Sequence, residues 1–210
     1  MINEISEQIK DNLRECQVKS IEVIAKYLRS KSGGSCLISL PTGAGKSGVI
    51  CTVSHNCKYK KLLVVTHRRA VCDQLYKQLK GKFFEKILPE EVDYKSFIKK
   101  DIFSNIGDVS KDGVYCTTFQ KITGLSESEL LVLKNSFDLI LIDEGHAEPS
   151  PKWGATIREL VAKKIIITAT PYRNDLFSFD IDVKHSYIYT YKKATEDNVI
   201  VQPRFDTINM

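Results

Sequence analysis

Short apolar runs alternate along the chain with longer segments in which apolar residues recur at helical spacing. The runs are Cys36–Leu40, Lys61–Thr66, Val114–Thr118, Phe137–Ile142 and Lys164–Thr168. Between them, apolar residues recur every three or four positions, as they do on one face of a helix. Strands that are apolar along most of their length are typical of a parallel sheet buried on both faces. The pattern therefore predicts an α/β fold, with a parallel sheet and helices on both faces.

Helices are predicted between these strands and before the first of them. The apolar residues up to Ser30 favour two helical stretches with a break near Arg14. The other predicted helices are Lys46–Asn56, Arg69–Lys80, a helix that begins at Pro89, Ser126–Asn135 and Pro151–Lys163. Strand-favouring residue types predict one more strand over Val183–Tyr191. In such a sheet, ligands bind at the carboxyl ends of the strands, so the residues that follow each strand carry the functional interest.

A glycine-rich loop follows the first predicted strand. It consists of Pro41, Thr42, Gly43, Ala44, Gly45, Lys46 and Ser47. A loop between a buried strand and a helix directs backbone N–H groups at phosphate oxygens, and the helix adds its positive dipole end. Lys46 can reach the β- and γ-phosphates, and the Ser47 hydroxyl can coordinate Mg²⁺. The strict pattern has Gly where this chain has Leu40, but the phosphate-binding mechanism does not depend on that position.

An acidic pair follows the apolar run that ends at Ile142. Asp143, at the end of the strand, can hold Mg²⁺ through water, and Glu144 can polarise an attacking water as a general base. Such a pair on its own is equally typical of a helix N-cap or an exposed turn. Together with the phosphate loop, it predicts a nucleotide-hydrolysing site.

Six motifs in the expected order resemble those of the first RecA-like domain of superfamily 2 DExH-type helicases and translocases. Asp-Glu-Gly-His at 143–146 is similar to the DEAH box, and Thr-Ala-Thr-Pro at 168–171 to the coupling motif. Leu13–Gln17 is similar to the upstream L-R-x-x-Q element. Residues 64–74 and 114–120 occupy the places of two motifs that touch the nucleic-acid backbone. The segment Pro151–Trp153, which follows the Asp-Glu-Gly-His motif, resembles the corresponding segment in the subgroup that contains the helicase subunits of restriction enzymes.

The resemblance implies a RecA-like P-loop NTPase fold, ATP and Mg²⁺ as cofactors, and a role for each motif residue. Gln17 would contact adenine, and Arg14 would orient Gln17 or meet a phosphate. The implied catalytic residues are Glu144, Lys46 and Asp143, with Ser47 and Asp143 at the metal. The implied coupling residues, which link hydrolysis to motion, are His146, Thr168 and Thr170. The implied nucleic-acid contacts are Thr66, Arg68, Arg69, Thr117 and Thr118.

The resemblance also divides the chain into three parts. Residues 1–30 are expected to form a helical segment with the adenine-contacting element, and residues 31–182 the ATP-binding domain. Residues 183–210 are expected to be a strand and a linker toward a second RecA-like domain, which would supply arginine fingers in cis or in trans. The expected function is that of a helicase or translocase motor domain. A stand-alone nucleotide-dependent module that binds a partner without motor activity is the alternative.

Charge and composition add a partner and a compartment to this interpretation. The chain of 210 residues has a formal net charge of +5, and Lys58–Lys100 holds twelve Lys or Arg against five Asp or Glu. Such a region suits a phosphate backbone as well as an ordinary solvated surface. The interpretation favours DNA over RNA, although the sequence itself does not separate the two. Six cysteines without a Cys-x-x-Cys pair, a polar N-terminus and short apolar runs predict a cytoplasmic protein with no membrane segment.

Overall fold

A computed structural model of the chain describes residues 2, 5–143, 159–171 and 180–201. The strands in these ranges are β1 Ser35–Ser39, β2 Lys61–Thr66, β3 Ile102–Phe103, β4 Gly113–Thr118, β5 Leu139–Asp143, β6 Lys163–Thr168 and β7 Ile181–Ile188. They form one sheet in the order β3-β4-β2-β5-β6-β1-β7, and every neighbouring pair is parallel. The predicted parallel α/β fold is confirmed.

Helices cover both faces of this sheet. The described helices are α1 Glu7–Lys10, α2 Glu15–Arg29, α3 Lys46–Asn56, α4 Arg69–Lys77, α5 Phe83–Ile87, α6 Phe119–Thr123, α7 Glu127–Lys134 and a helix at Tyr191–Glu196. Helices α2 to α5 contribute to the core on one face, and α6 and α7 to the core on the other. Among the described residues, no helix is both long enough and apolar enough to cross a membrane.

Two hydrophobic cores explain why the strands read as continuous apolar runs. Side chains alternate between the two faces of a strand. On β2, Leu62 and Val64 belong to the core under α2 and α3, while Leu63 and Val65 belong to the core under α6 and α7. All four are fully buried. Because neither face meets water, no polar residue interrupts the run, which makes these strands visible in the sequence.

The segment after α4 differs from the predicted one. The helix predicted over Arg69–Lys80 ends at Lys77 and continues as a π turn over Gln78–Lys82. Gly81 adopts φ +120°, a left-handed conformation that breaks the helix. A Cβ at Gly81 would lie 2.5 Å from Ile98 Cδ1, so the glycine also permits a close approach of the chain. The apolar periodicity continues through this point, and for that reason it concealed the break.

The prediction of an α-helix that begins at Pro89 is wrong. Only a short 3₁₀ helix, Tyr94–Phe97, forms there, and the Asp93 side chain accepts the Lys95 N–H to start it. Tyr94 and Ile98 both approach Gly81, which places the segment against the π turn. Strand β3, which has only two residues, was not predicted because it is too short to produce a pattern.

The last described strand ends earlier than predicted. It spans Ile181–Ile188 at the edge of the sheet, whereas the prediction extended it to Tyr191. The Thr190 side chain accepts the Lys193 N–H and begins the helix Tyr191–Glu196. A hydroxyl at this position satisfies one of the free N–H groups of a helix start, which favours helix over strand.

His55 is a buried titratable group that joins α3 to the segment around Lys99. It is 1% exposed, and its ring packs edge-on against Phe84. The Lys99 N–H donates to Nδ1 at 3.1 Å, so Nε2 carries the proton that it donates to Leu79 O at 2.8 Å. Burial lowers the pKa of His55 below its ordinary 6.5. A proton on Nδ1 would also break the bond to Lys99.

We expect the free energy of unfolding to fall as the pH drops below about 6.5, because the unfolded chain then binds a proton that folded His55 excludes. The loss is at most about 1.4 kcal/mol per pH unit, until the lowered pKa of the folded state is reached. His55→Gln should flatten this slope in denaturant unfolding measured between about pH 7 and about pH 5. The control is His67→Gln, at a partly exposed position. An unchanged slope in His55→Gln would contradict the assignment.

Candidate functional site

The carboxyl ends of β5, β6 and β1 bring the predicted nucleotide residues together. Asp143 pairs in register with Ile167, and Ser39 pairs with Thr168. The Leu40 N–H donates to Thr168 O at 2.9 Å, which ties the start of the phosphate loop to the coupling motif. Three motifs that lie far apart in sequence therefore meet at one edge of the sheet. This edge is where ligands of parallel α/β sheets bind.

Two glycines shape the phosphate loop. Gly43 has φ +85° and Gly45 has φ +95°, a region that side chains rarely tolerate. Gly45 is also the N-cap of α3, so Lys46 and Ser47 stand in the first turn of that helix. A Cβ on Gly45 would lie 2.5 Å from Gln17 Nε2. The second glycine is therefore required both by the turn and by the close approach of α2.

Three successive carbonyl oxygens of the loop accept hydrogen bonds from side chains at the start of α2. We call this set the carbonyl clamp. The pairs are Arg14 Nη1 with Gly43 O, Cys16 Sγ with Ala44 O at 3.7 Å, and Gln17 Nε2 with Gly45 O at 2.9 Å. Burial raises the pKa of the Cys16 thiol, which stays protonated at neutral pH and can donate.

The carbonyl clamp sets the direction of the loop amides. In a trans peptide the C=O and the N–H point in opposite directions, and the structure has no cis bond among the described residues. Because the carbonyls of Ala44 and Gly45 point at α2, the N–H groups of Gly45 and Lys46 point away from it. The Ala44 N–H donates to Pro41 O at 3.1 Å inside the loop. The loop thus presents amides to the side where a phosphate would lie, and it fits a nucleotide.

Gln17 has a second role that was not anticipated from its motif. It is 6% exposed, and its Oε1 accepts the Arg14 N–H at 2.9 Å while its Nε2 holds the loop. An amide oxygen has two lone pairs and an amide nitrogen two hydrogens, so each retains capacity for another partner. The adenine contact of Gln17 and the supporting role of Arg14 stay predictions. Both side chains lie against the phosphate loop.

The polar side chains of the predicted nucleotide site differ in exposure. Ser47 is exposed, Lys46 is half-buried, and Asp143 is buried at the end of β5. Lys46 Nζ donates to Leu40 O at 3.4 Å, across the mouth of the loop. A hydroxyl and a carboxylate are oxygen ligands of the kind that Mg²⁺ prefers. The Lys46 ammonium suits a phosphate, so the types of these three residues fit a metal-bound nucleotide.

The coupling motif is described only in part. Thr168 is fully buried, and its Oγ1 accepts the Thr170 N–H at 3.1 Å. The predicted general base Glu144 and the predicted coupling residue His146 lie outside the described residues. The same holds for the Pro151–Trp153 motif. The roles of these residues stay predictions.

The five predicted nucleic-acid residues meet at the carboxyl ends of β2 and β4. Thr66 pairs with Thr118 in register, and Arg68 and Arg69 follow at the start of α4. Both arginines are exposed. Thr66 and Thr117 are fully buried, and the Thr118 oxygen accepts the Lys121 N–H as the N-cap of α6. The structure therefore brings the five together but offers only the two arginine side chains to solvent.

Cys16 and Gly48 also shape the site, although the sequence did not single them out. A Cβ on Gly48 would overlap Gln17 Nε2 and would lie 2.8 Å from Phe83 Cε2. The sequence alone does not reveal that Gly48 contacts Gln17, because this contact depends on how α2 packs against α3. Cys16 lies between the two motif residues Arg14 and Gln17, and this position in the sequence could have indicated that Cys16 also contacts the loop.

A family comparison covers most of these motifs. The sequence profile of the family described as Type III restriction enzyme, res subunit, matches residues 10–173, which is more than half of the chain. No curated protein is similar enough in sequence to count as a relative. The matched range contains the glycine-rich loop, the acidic pair and the coupling motif.

Several solved structures share the fold. The Sulfolobus solfataricus SWI2/SNF2 ATPase core in complex with dsDNA has a TM-score of 0.59 at 20% identity, over 86% of this chain and 37% of that chain. The Pyrococcus furiosus Hef helicase domain has a TM-score of 0.58 at 18% identity, over 92% and 43%. A nuclease-deletion mutant of the Type ISP restriction-modification enzyme LlaGI, with a DNA substrate mimic, has a TM-score of 0.61 at 13% identity, over 89% and 20%.

The chain spans less than half the length of each of these structures. At such identities the likeness shows the fold alone, which is a RecA-like α/β fold. Family and fold are those of ATP-hydrolysing helicases, which in general use a nucleotide and a divalent metal. The profile match shows that the chain belongs to the family of type III restriction enzyme res subunits, as a helicase-like ATPase domain of superfamily 2.

Proposed function

We propose that the chain is the ATP-binding and ATP-hydrolysing half of a superfamily 2 motor that translocates along nucleic acid. The observation that carries this proposal is the phosphate loop, which the carbonyl clamp holds with its amides directed outward. Asp143 and Thr168 end the neighbouring strands β5 and β6 beside it. A site that only needed a tight turn would have no use for this arrangement. The proposal includes the three-part division at residues 30 and 182.

The nucleotide site assigns a task to each residue around the loop. The loop amides and Lys46 would bind the phosphates, Gln17 would contact the adenine, and Arg14 would orient Gln17 or meet a phosphate. Ser47 and Asp143 would hold Mg²⁺, which neutralises phosphate charge when bound. Glu144 would orient and deprotonate the attacking water. Catalysis of this kind depends on position and charge more than on covalent chemistry, so a loop already held in shape is an advantage.

The hydrogen bond from Leu40 to Thr168 supports a coupling role for the threonine motif. It makes a direct mechanical contact between the phosphate loop and the end of β6. Thr170 donates in turn to the Thr168 hydroxyl. A shift of the loop on nucleotide binding would therefore reach Thr168 and Thr170. His146 would join the same network from the acidic motif.

A second RecA-like domain, in cis or in trans, would complete the site. Arginine fingers from that domain would stabilise charge on the transferring phosphoryl group, a contribution worth ~10³ or more in rate. We therefore expect slow hydrolysis by this chain alone. A vigorous ATPase of the 210-residue chain would contradict the need for a partner domain.

Nucleic acid, with DNA favoured over RNA, is the proposed track. Two of the similar structures are described as complexes with dsDNA and with a DNA substrate mimic. Arg68 and Arg69 are exposed at the same edge of the sheet as the phosphate loop. A nucleic-acid strand bound there would lie on the edge that also holds the nucleotide, so a change in the nucleotide could alter its contacts. Arginine suits phosphate contacts because its guanidinium is always charged and donates two parallel hydrogen bonds.

Loss of the general base tests the hydrolytic site. Glu144→Gln should lower the nucleic-acid-stimulated ATPase rate by about 10² to 10⁴ while nucleotide binding persists, and Lys46→Ala should weaken both. The measurement is phosphate release, together with titration by MgADP. Glu85→Gln, an exposed change on α5, is the control. Turnover that survives Glu144→Gln would remove Glu144 from the mechanism. Nucleotide binding without any hydrolysis, even with a second domain present, would favour the partner-binding module.

Loss of the clamp amide tests the shape of the phosphate loop. Gln17→Ala removes two hydrogen bonds, the one that Nε2 donates to Gly45 O and the one that Oε1 accepts from the Arg14 N–H. The bond to the loop is worth about 1 kcal/mol, so its loss should weaken MgADP binding about five- to tenfold. Isothermal titration measures the affinity. Gln8→Ala, at an exposed position on α1, is the matched control because it removes the same type of side chain without touching the loop. Equal affinity in the two variants would show that the clamp does not shape the site.

Loss of the two exposed arginines tests the nucleic-acid surface. Arg68→Ala with Arg69→Ala should weaken DNA binding and reduce the slope of log affinity against log salt by about 0.9 for each phosphate that the variant no longer neutralises. Titrations of labelled duplex and single strands at several salt concentrations measure both. The control is Arg29→Ala with Lys31→Ala, which removes the same charge beside the amino end of β1. Equal losses of affinity in both double variants would indicate a non-specific charge effect and contradict the assigned surface.

A further inference from the structure

Two thiols face each other between α4 and β4. Cys72 Sγ and Cys116 Sγ lie 3.6 Å apart, and Cys116 Sγ also approaches Cys72 O at 3.7 Å. All six cysteines belong to the described part of the chain, and within it this is the only pair whose sulfur atoms are in contact. Cys72 is 8% exposed and Cys116 is 1% exposed. A small oxidant would therefore reach Cys72 first.

The surroundings of Cys72 favour its thiolate. The hydrogen bond from the Cys116 thiol lowers the pKa of Cys72 and outweighs the effect of burial, and the Thr66 hydroxyl lowers it further. The same hydrogen bond, together with burial, raises the pKa of Cys116. The pKa values of the other four cysteines, Cys16, Cys36, Cys51 and Cys57, are raised by burial. Cys72 is thus the cysteine whose surroundings favour the thiolate, and a second thiol is in contact with it.

We propose that Cys72 and Cys116 are a redox-active dithiol, which a hydroperoxide oxidises to a disulfide that moves the start of α4 relative to the end of β4. The Cys72 thiolate attacks a peroxide oxygen, the O–O bond breaks, and the leaving hydroxide takes up a proton and departs as water. Cys72 is then a sulfenic acid. The Cys116 sulfur, as it loses its proton, attacks the Cys72 sulfur. The S–O bond breaks and a second water leaves. Two thiols have lost two hydrogens, and one hydrogen peroxide has become two waters.

The disulfide would alter the surface that the arginines occupy. An S–S bond is about 2.05 Å long, so the sulfur atoms must approach from their present 3.6 Å. The Cys72 N–H donates to Arg68 O at 2.9 Å, which makes Arg68 part of the same helical turn. Thr117 and Thr118 follow Cys116 directly. As the sulfur atoms approach each other, Arg68 and Arg69 at the start of α4 would therefore move relative to Thr117 and Thr118 at the end of β4. Only this consequence for nucleic acid rests on the proposed function; the disulfide itself does not.

Mass spectrometry tests the disulfide. The reduced chain is treated with hydrogen peroxide, the remaining thiols are alkylated, and the digest is analysed without reductant. A linked peptide pair that contains Cys72 and Cys116 is expected, with the other four cysteines alkylated. Cys72→Ser and Cys116→Ser should each abolish the link, while Cys51→Ala, which removes another buried thiol, should keep it. No link, or links spread over other cysteines, would overturn the proposal.

Binding measurements test the effect of the disulfide. Oxidised chain should bind labelled DNA about tenfold more weakly than reduced chain, as expected when one or two phosphates are no longer neutralised, and a reductant should restore the affinity. Cys72→Ser should be insensitive to peroxide. A disulfide that leaves DNA affinity unchanged would overturn the predicted shift of α4. Absence of DNA binding in the reduced chain would instead contradict the proposed function. The shift is then decided by hydrogen exchange in α4, where unchanged protection on oxidation would overturn it.

Discussion

The phosphate loop keeps its shape because the first turn of α2 holds three of its carbonyl groups. A glycine-rich loop is free to adopt many conformations, and ordering each residue costs about 1 to 2 kcal/mol. The carbonyl clamp orders the loop during folding, because Cys16 belongs to the core that joins α2 to the sheet and Gln17 is buried one residue further on. A ligand then meets amides that already point outward. The left-handed glycines and the tight contact at Gly48 follow from this close packing.

The parallel register carries this local order to the other motifs. Asp143, Thr168 and the loop meet only because β5, β6 and β1 are neighbours whose carboxyl ends are aligned. The order β4-β2-β5 continues the same edge toward Arg68 and Arg69. One sheet edge thus holds both candidate surfaces, for nucleotide and for nucleic acid. The strands of this sheet are buried on both faces and closely packed. A displacement at the end of one strand is therefore passed on to its neighbours, because the packed sheet does not deform easily.

The sequence predicted what depends on local pattern and missed what depends on packing. The strands with two buried faces were visible because no polar residue interrupts them, whereas Gly81 broke α4 inside an unbroken apolar period. The loop residues were visible because phosphate chemistry dictates their types. The contacts of Cys16 and Gly48 depend on where α2 lies, and a pattern does not contain that information. Likewise, a threonine near the end of a strand looks the same in the sequence whether its hydroxyl is buried, as at Thr117, or exposed in a groove.

The carbonyl clamp also changes what counts as the nucleotide-binding unit. By sequence, that unit begins at β1 and the glycine-rich loop, and the helix before it looks like an appendage. In the folded protein the loop takes its shape from Arg14, Cys16 and Gln17. A shortened chain that began at Ser30 would still contain every glycine of the loop. Its three carbonyl groups would lose their hydrogen-bond donors and would be exposed to water. The smallest unit that can hold the loop in shape therefore starts before Arg14. The glycine-rich loop is only the part of that unit that the sequence makes easy to recognise.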